Sequence, residues 1–356
     1  MSEPVISVKK FKDVNIDDPF FESLKGAYNE FPDWFARKAD EDAYVSYSPS
    51  GGLHAFLYLK PEKGPITDIE PPLDVPACLK VGTFKVDAHG TKLGERFVKI
   101  IVDTALAQGL PVAYLTIFPE HEPLIRILET FGFTKRGTKP GPNGTEDVYV
   151  KDMRELTGNL LLDYPIVDSR GHKKWMMSIY ADYHTDLFPD SILRTERPTM
   201  LQDTSHTNGI HKVYVGAYRD FPQVSSGDCL VIYRCVERDS NKPAWYGSVA
   251  TSLCVVEEIQ PARSFGSAEK FITYCKKYSV FDEAKLRSLY PKTGMYAVLM
   301  TYNLAFPRRP TLGSLVEARA VPHPSEGHYM GFLPLSDDAF KKILELGGIR
   351  EGYVIY

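Results

Sequence analysis

Residues 5–11 (VISVKKF) alternate apolar and polar positions, the period of a half-buried strand. The rhythm then lengthens: Phe21, Leu24, Tyr28, Phe31 and Phe35 recur at spacings of 3, 4, 3 and 4 and share one helical face. Asp18 followed by Pro19 supplies an N-cap and a first helical residue, and Pro32 divides the stretch into two helices. AYVSY (43–47) and LHAFLYLK (53–60) flank the turn SPSGG and predict a hairpin. A Pro-rich connector, 61–76, leads to a strand over 80–87. That strand runs at once into a helix marked by Leu93, Phe97, Ile100, Ile101 and Ala105 and closed by Gly109. VAYLTIF (112–118) carries no charge and reads as a buried strand. Leu124, Ile127, Leu128 and Phe131 mark a short helix ended by Gly132. Residues 135–147 read as a Gly/Pro-rich hairpin loop, and DVYVKDM (147–153) as the last strand.

Beyond Leu156 the pattern changes. An aromatic and histidine-rich segment and a polar stretch (194–209) precede strands over 212–219, 229–237, 246–259 and 296–303. Between the last two, Phe271, Tyr274, Cys275 and Tyr278 mark a helix, with a second short helix after Phe281. Short strands with helical insertions predict a small curved sheet or barrel. The expected division is therefore 1–155 and 156–356, and 356 residues exceed what one hydrophobic core ordinarily serves.

Charge changes this picture only locally. The net charge is -4, with 19 basic and 24 acidic residues in the first 155 positions and 23 and 22 in the rest, so any polyanion contact must come from a patch. No apolar run approaches the ~20 residues of a membrane span, and the first residues lack a signal-peptide pattern, so a cytoplasmic protein without membrane association is expected. Five cysteines without a CxxC pair point to buried reduced thiols. His172, His184, His206 and His211 follow no metal-ligand spacing, and no metal site is expected.

The chemistry of the first half is expected at HGTKLGE (89–95). A strand that breaks through glycines into a helix leaves backbone N–H groups at the positive end of the helix dipole, a cradle for a phosphate or pyrophosphate to which Lys92 can add charge. The order of elements together with this loop resembles the GNAT acetyltransferase fold across nearly all of 1–155. In that family the loop reads Q/R-x-x-G-x-G/A. His89 stands at the Gln/Arg position, Lys92 where a glycine is usual, and Gly94 at the last small residue. ILETFGF (127–133) is similar to the family's L-Y-E-K-L-G-F, with Leu128 in place of the Tyr that protonates the leaving thiolate in many relatives.

The resemblance implies a mixed sheet flanked by helices that binds acetyl-CoA or another acyl-CoA. Thr83, Phe84, Lys85 and Val86 would face the pantetheine arm, and His89, Gly90, Thr91, Lys92, Leu93 and Gly94 the diphosphate. By location, Glu120, His121 and Tyr149 are the catalytic candidates in place of the missing Tyr, with Glu70 and Asp74 of the connector behind them.

SSGDCLVIYRC (225–235), a Gly-Asp turn feeding a core strand, and the helical insertion before the last strand resemble the PUA-like group, which includes ASCH and EVE domains. That implies an α+β chain: a GNAT mixed sheet followed by a PUA-like small β-barrel with helical insertions. Such barrels stack bases on aromatic rings and hold phosphates with cations. The nucleic-acid candidates are Lys173, Lys174, Lys212, Tyr218, Trp245, Arg308 and Arg309, with Trp175 and Tyr246 as further stacking rings. The combined reading is an N-acetyltransferase acting on an amine linked to RNA or a nucleoprotein, of which the toxin-like acetylation of aminoacyl-tRNA is one instance. The alternatives are a protein or small-molecule N-acetyltransferase with an interaction domain, and a non-catalytic acyl-CoA-sensing reader. A homodimer is compatible with each.

Overall fold

The computed structural model describes residues 6–48, 50–87, 92–189 and 209–356, which divide into two compact units, Met1–Asp163 and Tyr164–Tyr356. In the first, β1 (Ile6–Lys10) precedes α1 (Glu22–Ala27), α2 (Phe31–Arg37), β2 (Asp42–Tyr47), β3 (Leu53–Lys63) and β4 (Ala77–Val86). Then follow α3 (Leu93–Gln108), β5 (Val112–Ile117), α4 (Glu122–Thr130), β6 (Thr134–Gly141) and β7 (Gly144–Asp152). The strands form one sheet in the order β1-β2-β3-β4-β5-β7-β6, antiparallel throughout except between β4 and β5.

Local chemistry sets these boundaries. Asp18 caps the turn before α1, one carboxylate oxygen accepting the N–H of Phe20 (2.9 Å) and the other that of Leu53 (3.0 Å), so the same residue ties the helical segment to β3. Pro32 sits in the first turn of α2, where its missing N–H costs nothing; the helices part before it. Phe11, Phe20, Phe21, Phe31 and Phe35 pack with Val45, Phe56 and Tyr58 into an aromatic core beneath α1 and α2.

One expectation is corrected here. Residues 135–147 are almost entirely strand, and the turn between β6 and β7 is only Pro142 and Asn143. Glycines and prolines suggested a loop, but β6 is an edge strand, where Pro140 can lack an N–H without breaking an inner ladder.

The boundary between units lies beyond 155. Asp163 accepts the backbone N–H groups of Thr157 and Gly158, each at 2.8 Å, and the ammonium of buried Lys151 donates to the carbonyls of Phe131 and Leu162 at 2.7 and 2.9 Å. The Asp163 bonds close residues 157–163 on themselves, and Lys151 fastens that segment to β7.

The second unit contains β8 (Val167–Asp168), β9 (Lys174–Ile179), α5 (Ala181–Leu187), β10 (His211–Gly216), β11 (Cys229–Arg234), α6 (Ala244–Gly247) and β12 (Val249–Pro261). It continues with α7 (Ala268–Cys275), α8 (Glu283–Leu289), β13 (Tyr296–Ala305), α9 (Leu312–Glu317), β14 (Phe332–Leu335), α10 (Asp337–Gly347) and β15 (Val354–Ile355). Six strands make a sheet in the order β10-β13-β12-β11-β9-β14; β8 and β15 form a separate pair. The Gly-Asp turn is a genuine corner: buried Asp228 accepts from the backbone of Lys173 and Ser225 and from the indole of Trp175.

The expected barrel differs from what is found. Strands β10 and β14 stand at opposite ends of the sheet, and among the described residues no pairing joins them. The sequence reading also lacked β9 and β14, which extend the sheet past β11, β9 in parallel. Four of the five cysteines are buried and none is disulfide-bonded.

Candidate functional site

The sheet of the first unit opens at its centre. Strand β4 is laddered to β3 up to Val86, but to β5 only at Leu79, Lys80 and Val81, opposite Ala113, Tyr114 and Leu115. Beyond that point β5 follows β7, with Thr116 opposite Val148 and Ile117 opposite Asp147. The two parallel strands therefore part, and the β5-facing edge of Gly82–Val86 has no ladder partner among the described residues.

A bulge stands where they separate. Tyr58 pairs with Thr83 and Leu59 with Val81, leaving Gly82 as the extra residue. A bulge bends its strand and leaves backbone groups unladdered, a means of turning β4 away from β5. Only glycine fits: a Cβ there would lie 2.6 Å from the ring of Tyr58.

Past the bulge, β4 presents different chemistry to its two faces. Phe84 meets Phe97 of α3 at 5.6 Å between ring centroids, while Lys85 turns to the other face, over Phe20 (4.7 Å) and bonded to Ser23. Thr83 donates its hydroxyl to the Gly82 carbonyl. Lys92 occupies the N-cap position of α3, Leu93 is buried in its first turn, and Gly94 lets the side chain of Ile127 in α4 come within what would be 2.7 Å of a Cβ. Of the expected phosphate cradle, His89, Gly90 and Thr91 lie outside the described residues.

The expected catalytic residues do not gather at one point. Glu120 and His121 are exposed in the link from β5 to α4, and His121 makes no capping bond to the helix it precedes. Tyr149 is buried on β7 and bonded to Glu129 of α4 at 3.3 Å; burial, then Glu129, holds its phenol proton more tightly than usual. Glu70 is exposed, its backbone bridged to Thr138, and Asp74 is exposed in the same connector. Leu128 is fully buried, so the position of the family's Tyr serves the core.

A different constellation lies beside the opening. The carboxylate of Glu146 on β7 accepts the phenol of Tyr28 at 2.6 Å on one oxygen and the hydroxyl of Thr116 at 3.0 Å on the other. Thr116 is the first β5 residue past the last β4 partner. Sequence reading missed this group because Glu146 fell in the expected loop; its alternation with Val148 and Val150 was the available signal.

In the second unit the nucleic-acid candidates scatter. Lys212 is fully buried, its ammonium over the rings of Phe188 and Tyr302, and Lys174 is buried and paired with Asp337. Trp175 is buried against Phe332; Tyr218 stacks on the same ring and donates to the Ser178 carbonyl. Lys174, Lys212 and Trp175 are buried in the core, and Tyr218 is half-buried against it. Trp245 is half-buried against His323, and Arg309 is half-buried. Lys173 and Arg308 are exposed but bonded to the carbonyls of Gln223 and Glu345, while Tyr246 is exposed.

Among the described residues no cluster of His, Cys, Asp or Glu could hold a metal ion, and no helix is long and apolar enough to cross a membrane. His206 lies outside those residues.

No protein-family model matches the sequence, and no curated protein sequence does. Among solved structures, ASCH from Zymomonas mobilis is similar at 15% identity and a TM-score of 0.33, over 49% of this chain and 95% of that one. The IAA acetyltransferase from Bacillus cereus is similar at 12% identity and 0.31, over 42% and 99%. A GNAT-family acetyltransferase from Streptococcus agalactiae is similar at 13% and 0.29, over 41% and 95%. Each likeness extends over about half of this chain or less.

Proposed function

We propose that the first unit binds an acyl-CoA, acetyl-CoA in the simplest case, and transfers its acyl group to an amine. The observation that carries this reading is the parting of β4 from β5 at the Gly82 bulge. An extended amide-bearing chain such as pantetheine needs backbone donors and acceptors along one side, and the unladdered edge of Gly82–Val86 offers them. A diphosphate needs converging N–H groups and positive potential, which the start of the 16-residue α3 offers with Lys92 at its N-cap. When bound, the thioester supplies an activated acyl carbon; the protein positions it and manages the acceptor's protons.

Acetyl-CoA is expected to raise the melting temperature of the whole chain, and Gly90→Glu, which adds a carboxylate to the loop that the resemblance assigns to the diphosphate, to abolish the rise. A wild-type protein that does not respond, or a variant that still does, contradicts the reading. Release of CoA in the presence of an amine separates an enzyme from an acyl-CoA-sensing reader.

For the acceptor, an amine carried on RNA or a nucleoprotein remains the proposal made from the second half of the sequence. The burial of Lys174 and Lys212 favours the competing reading of a protein or small-molecule amine. RNA binding whose affinity falls steeply between 50 and 200 mM salt, as expected when several phosphates are neutralised, supports the RNA reading; no binding, or binding indifferent to salt, supports the other.

A further inference from the structure

We propose that Glu146 is the group that takes the proton from the acceptor amine, and that the acceptor arrives as an ammonium ion on the sheet face carrying Tyr28. This rests on the acyltransfer reading above and names the residue and substrate charge that the reading leaves open.

Three observations support it. Thr116, which fixes one carboxylate oxygen, is at the point where β5 loses β4, so Glu146 is one hydrogen bond from the opening. Its side chain lies on the face opposite α4: the neighbouring phase of β7 sends Tyr149 to Glu129 of α4, while Glu146 meets Tyr28 at the end of α1. It is also half-exposed, and each oxygen, having accepted one hydroxyl, keeps a lone pair for an incoming N–H.

Tyr28 is the donor of this pair. Burial, then its bond to Glu146, holds its phenol proton well above the usual range, and Glu30 and Glu120 act on it in the same direction. A phenol so placed stays protonated near neutral pH and donates to the Glu146 oxygen. These carboxylates attract a cation and repel phosphate, so a nucleic-acid-borne acceptor would present only its amine here.

The proton balance is simple. An ammonium acceptor gives one proton to the Glu146 carboxylate, which passes it to water. The freed nitrogen lone pair forms the C–N bond to the acyl carbon as the C–S bond breaks, and the second N–H proton goes to the departing sulfur, leaving an amide and a thiol.

The test compares wild type, Glu146→Gln and Glu146→Asp, with acetyl-CoA and two probes: lysinamide, an ammonium ion at pH 7, and methoxyamine, a neutral nucleophile at that pH. Glu146→Gln is expected to keep the acetyl-CoA melting shift and to lose about 100-fold or more in CoA release with lysinamide, the range of a positioned general base. With methoxyamine it should lose less than about tenfold. Glu146→Asp should recover part of the lysinamide rate, and it carries the comparison if the Gln variant does not fold. Equal losses on both probes, unchanged turnover of lysinamide, or a wild type that uses neither probe overturns the assignment while a retained melting shift leaves acyl-CoA binding standing. A wild type without the melting shift removes both.

Discussion

Gly132→Ala is expected to cost the first unit about 4 kcal/mol or more, enough to leave much of it unfolded at physiological temperature. Gly132 ends α4 with φ of +80°, a conformation costing an L-residue roughly 1–2 kcal/mol. Collision costs more: a Cβ would lie 2.1 Å from the Leu162 carbonyl oxygen and 2.8 Å from the Lys151 ammonium. Backbone cannot move aside there without breaking the bonds of Lys151 to Phe131 and Leu162. That would leave the ammonium buried and unsatisfied, and burial already lowers its pKa to about 8. Gly158→Ala is the control: φ is +79° with nothing within 4 Å of the added carbon, so only the conformational cost remains. Urea unfolding of both variants decides the matter, and equal losses would show that the close approach to Leu162 is not what demands glycine.

The second large effect is an acid lability located at His184. This side chain is fully buried, its Nε2 bonded to Thr251 at 2.8 Å, and its pKa is lowered to about 3 by burial, then by Arg234 and Arg309. An unfolded chain takes up this proton near the ordinary value of about 6.5, whereas the folded one resists it. Protons therefore favour the unfolded state between those values. The contribution of neutral His184 is complete above about pH 6.5 and is lost progressively down to about pH 3, a span of about 5 kcal/mol. Between pH 7 and 4.5 wild type should lose about 3 kcal/mol from this group alone. His184→Gln removes the titrating ring, so its denaturant midpoint should fall less over the same interval, whatever its stability at pH 7. Parallel pH profiles would place the acid-sensitive group elsewhere.

What the sequence disclosed follows from what periodicity measures. It measures burial, so strands and helices with one apolar face, such as α3 and β5, were legible. So was the order of elements that brings Thr83, Phe84, Lys85 and Val86 to the opening. It does not measure pairing. The bulge at Gly82 is one glycine in KVGTFKVD, and nothing local says that β5 will leave the ladder at Thr116. Edge position hid β6, because Pro140 and the glycines look like a loop until it is known that one side of that strand needs no partner. Sequence makes Lys174 and Lys212 candidate phosphate contacts, but each side chain is covered, one beside Asp337 and one over aromatic rings. Glu146 is hard to find in sequence because its hydrogen-bond partners, Tyr28 and Thr116, lie 118 and 30 residues away in the chain.

The brevity of the contact between β4 and β5 has a further consequence. It makes the first sheet two leaves, β1 to β4 on one side and β5 to β7 on the other, joined along a spine only three residues long. The acyl-CoA proposed above would supply rungs between the leaves that the backbone itself does not, and so would become part of the architecture. On the proposed acyl-CoA reading, scarcity of that cofactor would loosen the fold and shorten the life of the chain.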